Sequence, residues 1–146
     1  MTRDDYLKAN SILFWLVALI AAGIIFIGVR FIVWPLVGAT SFGVPVAENQ
    51  TFAYLWAKGT RDIVSGLFLI VFLWLKVSRR VLAAFIFVAS LIPIGDMLNV
   101  YANVGASNLA ALLIHGGTAL FMIMLATFLL GRALVQELKT TPKQTD

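Results

Sequence analysis

Six side chains could do chemistry where their neighbours cannot. Arg30, Arg61, Asp62, Asp96, Asn99 and His115 interrupt or border long uncharged runs. An ionisable group in such a run is costly in lipid and marks a functional site by default. Asp96 and His115 are the pair able to exchange a proton with a bound molecule. Arg61 can grip an anionic or carbonyl oxygen, with Asp62 orienting it, and Arg30 and Asn99 add polar contacts to a ligand. Each also has a purely structural reading. Arg61 and Asp62 would neutralise Asp96 and one another as a lock. Asp96 would reach headgroup water, His115 would satisfy a packing hydrogen bond, and Arg30 would snorkel to the headgroups.

The elements that must position these groups are four apolar segments, at about 12–37, 56–77, 81–99 and 109–132. A span needs about 20 mostly apolar residues. Trp15 to Trp34 and Trp56 to Trp74 each cover about 27–28 Å of helix, close to the hydrocarbon thickness of a bilayer. The clean run Ile63 to Leu75 is too short to span alone, so Arg61 and Asp62 must enter the membrane. Val81 to Gly95 is short in the same way, which draws in Asp96 and Asn99. Folding the four segments up and down brings all the polar groups to one outer third, with Glu48 of the first loop above them. Asp96, Asn99 and Asn103 share a helix face, as do Asp62, Ser65 and Gly66, and Asn108, His115 and Thr118. Pro93 is expected to kink the third helix just before Asp96. Ala18, Ala22, Gly23, Gly116 and Gly117 are expected to allow close helix approach.

Composition leaves little room for a soluble fold. Of 146 residues, 61% are hydrophobic and 12% charged, and the mean hydropathy is +0.96. A soluble domain is about half apolar and about a quarter charged, and a chain this short cannot hide the excess in a core. The fold class expected is all-α, a four-transmembrane-helix antiparallel bundle forming one integral membrane domain over residues 1–146. The net charge is +4, but the basic residues sit at segment ends, where they meet anionic headgroups. No nucleic-acid partner is expected. The absence of cysteine excludes thiolate, disulfide and iron–sulfur chemistry. The single histidine sits in no paired-His or His-Glu-x-x-His spacing, so neither a metal nor another cofactor is expected. The N-terminus is not the net-basic start of a secretory signal and reads as leading into a retained first helix.

Orientation follows from lysine and arginine. One side carries Arg3, Lys8, Lys76, Arg79, Arg80, Arg132, Lys139 and Lys143; the other carries Arg30, Lys58 and Arg61. Eight against three places both termini in the cytoplasm, with a bacterial inner membrane as the expected location. Ser78-Arg79-Arg80 makes a tight turn that sets the second and third helices side by side. The first loop, Gly38 to Leu55, is long, and Phe42, Val44, Val46 and Phe52 are expected to pack it over the outer mouth. The tail 139–146 is polar.

The residues Arg30-Phe31, Pro35, Phe42-Gly43-Val44-Pro45, Lys58-Gly59-Thr60-Arg61-Asp62, Gly66, Asp96 and His115 carry a resemblance. Together they resemble the small four-helix membrane proteins catalogued as a domain of unknown function, DUF4267, which are loosely similar to the DoxX-like group. The resemblance implies a four-span bundle with Arg61, Asp62, Asp96 and His115 at its polar centre, and it brings no reaction. The expected function is binding of a small lipophilic ligand, or service as an accessory subunit, with the bilayer and such a ligand as partners and homo-oligomers allowed. The alternative is a membrane-embedded, isomerase-like acid–base enzyme acting on a lipophilic molecule. Transport is disfavoured because the inner halves of the spans lack polar residues.

Overall fold

A computed structural model describes residues 5–47 and 52–140; Glu48 lies outside the described residues. The chain is all-α, with helices α1 (Ile12–Val33), α2 (Pro35–Phe42), α3 (Ala53–Trp74), α4 (Arg79–Ala89), α5 (Leu91–Val104) and α6 (Leu109–Thr140). The consecutive pair α4–α5 makes one broken rod, so four rods stand side by side: α1, α3, α4–α5 and α6.

The segment bounds differ from expectation for local reasons. Ser11 caps α1 by accepting from the Leu13 amide at 3.2 Å. The first rod does not run on to Val37. It stops at Trp34 (φ −131°, ψ 70°), and Pro35 opens α2 at its first position. Proline disfavours helical geometry in the residue before it and has no N–H for the preceding turn, so a break followed by a new helix start is the low-cost solution. The expected long loop is thereby shortened, because α2 occupies it as far as Phe42. Gly43 ends α2 at φ +107°, its N–H bonded to the carbonyls of Ala39 and Thr40. A Cβ there would sit 2.6 Å from the Ala111 Cβ. Gly43→Ala should therefore cost about 2–4 kcal/mol, from left-handed strain plus overpacking, read as a lowered melting temperature in detergent.

The third rod breaks at Ser90 rather than at Pro93 itself. Pro93 cannot donate to the Ala89 carbonyl and its ring crowds that oxygen, so the disruption falls one turn earlier. Ser90 is buried and its hydroxyl bonds the Phe87 carbonyl. α5 continues past Asn99 to Val104 and turns through a 3-10 stretch, Gly105–Asn108. Asn108 caps α6 by accepting from the Ala111 amide at 3.2 Å, a local role in place of the shared face expected with His115. α6 runs beyond Arg132 to Thr140, so the expected polar tail begins in helix; residues 141–146 lie outside the described ones.

The α3–α4 turn is tight, as predicted. Ser78 caps α4 through the Val81 amide at 3.4 Å, and Lys76 takes φ +52°. The N-terminal segment closes this end of the bundle. Tyr6 bridges Ser78 in antiparallel fashion, the Arg79 amide donates to the Asp5 carbonyl at 2.8 Å, and Leu7 is buried.

Two antiparallel pairs build the bundle. In α1/α3, a Cβ at Gly28 would lie 2.6 Å from the Gly59 carbonyl oxygen, and one at Gly66 2.7 Å from that of Ala21. These glycines, not Gly23, set the close approach: Ala22 and Gly23 are exposed, and nothing lies within 4 Å of a Cβ at Gly23. In the second pair α6 returns along α5 and α4. Gly116 faces Met97 there, and Gly117 faces open space. An apolar cluster joins the pairs at the α3–α4 turn end, through Val17, Leu69, Ile86 and Met122. Another joins them at the polar end, through Phe31, Phe42, Leu55, Val100 and Ala111. Val44, Val46 and Phe52 pack against the latter, which is the predicted covering of that mouth by the first loop.

Two helical stretches, Ile12–Val33 and Arg79–Val135, are long and apolar enough to cross a membrane. Large apolar side chains are exposed on every rod, among them Leu19, Phe26, Phe68, Val88, Leu113 and Met124.

Candidate functional site

Between the two pairs, and between the two apolar clusters, lies a cavity of about 320 Å³ lined from all four rods and α2. Helical periodicity explains the lining. On α3, Lys58, Asp62, Ser65 and Leu69 fall on one face; on α6, His115, Thr118 and Met122 do; on the third rod, Ala89, Pro93 and Asp96 do. Leu69, Phe85 and Met122 form the deep apolar wall.

At the polar end stands a closed ring of charge. Lys58 Nζ is 2.7 Å from Asp62 Oδ2 and 3.2 Å from Asp96 Oδ2. An Arg61 terminal nitrogen is 3.2 Å from Asp62 Oδ1 and 3.6 Å from Asp96 Oδ1. Each carboxylate thus offers one oxygen to each cation, and the four charges cancel. Asp62 is buried at 4% exposure, a position tenable for a carboxylate only because two cations meet it. Lys58 is held further by aromatic faces, with its ammonium 4.8 Å from the Phe31 ring centre and 5.0 Å from that of Phe42. Cation–π attraction of this kind is worth about 0.5–2 kcal/mol.

Lys58 is the member that sequence reasoning missed. In the sequence it counts for orientation and in the family motif but not as a site residue, although its i, i+4 spacing to Asp62 is a helix-pair signal. It reaches inward because Gly59, next to it, lets α3 lie against α1, directly beside Phe31.

The remaining expected residues separate. His115 lines the cavity, with Nε2 2.9 Å from the Phe42 carbonyl oxygen and its ring 4.8 Å from the Phe42 ring. A carbonyl only accepts, so Nε2 carries the hydrogen. Asp96 lines the same cavity, but its bonds go to the ring cations; no hydrogen bond joins it to His115 among the described residues. Arg30 also lines the cavity. Its guanidinium lies 5.9 Å from the Phe26 ring centre, and it makes no ion pair with any described residue. Asn99 belongs to a second, wider recess of about 550 Å³ above the ring, with Arg61 and Asn103. There the Asn103 side-chain amide donates to Asn99 Oδ1 at 2.7 Å. Lys58, Asp96, Phe31 and Phe42 line both spaces and so form the partition between them.

The hydroxyls of the lining are already engaged. Ser65 donates to the Arg61 carbonyl at 2.8 Å, Thr118 to Ile114 at 2.7 Å and Ser41 to Val37 at 2.8 Å. What the cavity offers a guest is therefore mostly hydrocarbon, edged by a neutral ion ring, one imidazole and one guanidinium.

Fold and site together define a small all-α protein whose four helical rods enclose an apolar cavity closed by an ion-paired ring. The chain belongs to the family described as Domain of unknown function (DUF4267), whose model matches residues 21–129, a stretch that includes every polar residue of the cavity and the ring. Comparison with curated proteins and with solved structures finds no match.

Proposed function

We propose that this chain is a four-pass membrane protein that binds a small lipophilic molecule in the cavity between its helix pairs. The cavity carries the reading. At about 320 Å³ it falls in the range of small-molecule sites, about 300–1,000 Å³, and its wall is largely apolar with a few convergent polar groups.

The membrane part is supported by the apolar exterior, since exposed apolar surface on this scale needs a non-aqueous solvent or a partner. It is supported also by tryptophan. Antiparallel packing sets Trp15 beside Trp74 at one end and Trp34 beside Trp56 at the other, and all four are more than half exposed. Two such belts about 27–28 Å apart suit the two interfaces of a bilayer. The excess of lysine and arginine at the α3–α4 turn end assigns that end, and both termini, to the cytoplasmic side, in keeping with a bacterial inner membrane.

The isomerase-like alternative draws less from the geometry, because Asp96 and His115 are each bonded elsewhere and not to each other. Binding itself is tested with 1-decanol as a neutral probe. Native mass spectrometry of the wild-type chain released from nanodiscs should show one bound decanol. Ala89→Phe, which fills the lining from the third rod, should lose it by about tenfold or more while the protein stays folded. Equal retention by both proteins, or none by the wild type, would refute the assignment.

A further inference from the structure

We infer that the guest of this cavity is an amphiphile with a single negative charge, a medium-chain carboxylate, whose head pairs with Arg30 and whose tail lies along Leu69, Phe85 and Met122. This rests on the binding reading above and adds the chemistry of the head group.

Charge balance supplies the first argument. In the ring, two cations meet two carboxylates and nothing is left over. Arg30 stands outside that balance, half-buried, on the wall of a largely apolar cavity, and among the described residues it makes no ion pair and has the Phe26 ring face at 5.9 Å. Among the described residues no carboxylate meets it, although partly buried charges ordinarily have a counter-charge. A carboxylate is the group its planar fork fits best, because two parallel N–H donors meet two oxygens.

Available donors supply the second. Ser41, Ser65 and Thr118 spend their hydroxyl hydrogens on carbonyls of their own helices, and His115 spends its Nε2 hydrogen on Phe42. A ligand bearing many hydroxyls or carbonyls would find few partners, whereas one anionic head finds Arg30.

Shape supplies the third. Arg30 adjoins Phe31 at the polar end, and the wall becomes wholly apolar toward Leu69, Phe85 and Met122. A head at one end and a tail at the other matches this gradient. About 320 Å³ holds roughly ten chain atoms if each needs about the 30 Å³ that a water occupies in the liquid, which points to a chain near ten carbons.

The experiment is a competition between decanoate and 1-decanol for the full chain in phosphatidylcholine nanodiscs, in mildly alkaline buffer, read by native mass spectrometry. The wild type should retain decanoate in preference to decanol by about tenfold or more, the scale of a charged hydrogen bond. Arg30→Gln should keep decanol and lose the preference, and Arg30→Lys should restore part of it. A wild type that favours decanol, or an Arg30→Gln protein with its preference intact, overturns the head-group assignment and leaves the cavity reading standing. Loss of both ligands in Arg30→Gln, with no preference in Arg30→Lys, also overturns it, because Arg30 would then act only on the fold. A wild type that binds neither probe overturns both readings.

Discussion

Lys58→Met should lower the stability of the bundle by about 3–5 kcal/mol, the cost of removing one partner from a buried ion pair. The substitution keeps the length of the side chain and its packing on Phe31 and Phe42. It removes the cation that sits 2.7 Å from Asp62 and 3.2 Å from Asp96. Asp62 is then left at 4% exposure with Arg61 alone, and Arg61 is itself half exposed, at 48% for its side chain. The companion variant Lys58→Met/Asp62→Leu should recover much of the loss, since an apolar pair can replace a buried ion pair without penalty, and Arg61 can still face Asp96. Thermal unfolding of the purified proteins in one detergent measures both. A single variant as stable as the wild type would show that the ring contributes nothing to folding. A double variant no better than the single would show that packing, not charge, is what Lys58 supplies.

The second large effect belongs to the glycine crossing. Gly28→Val should part α1 from α3 and cost about 3 kcal/mol or more, above the usual overpacking range of about 1–3. The reason is the nature of the obstacle. The first added carbon meets a backbone oxygen of Gly59 at 2.6 Å and the backbone nitrogen of Ile63 at 2.9 Å, and neither can swing aside as a side-chain tip would. Gly23→Val is the control: it sits on the same helix, where an added carbon meets nothing within 4 Å, and it should change stability by only about 1 kcal/mol or less. Equal melting temperatures for the two variants would contradict the crossing as described.

The contrast between these two glycines also shows what was readable in advance. Apolar runs and the Trp pairs mark the four rods, and the alignment of polar residues at one end marks the level of the cavity's polar lining, because both depend on composition and helical period. The partners did not follow from either. Lys58 reads as a charge at the outer end of the second segment, near Trp56; only the packing of α3 on α1 turns it inward. Asp96 and His115 share a level, but Asp96 is taken up by Lys58 and Arg61, and the imidazole by the Phe42 carbonyl that α2 places in front of it. That helix straddles the end of the expected first segment and the start of the expected loop, although Pro35 and Gly43 mark its two ends as start and stop signals. The sequence points to Gly23 rather than Gly28 because helix rotation, which decides which small residue faces a neighbour, is not fixed by a segment that is apolar all round.

The clasp of Asp5 and Tyr6 on Ser78 and Arg79 bears on how the molecule is made. Asp5 and Tyr6 find these partners only after the first residues of α4 have left the ribosome. Until then α1 and α3 can pair through their glycines, but Leu7 has no α4 to cover it. Docking of this segment therefore waits on the synthesis of α4, whereas the pairing of α1 with α3 does not.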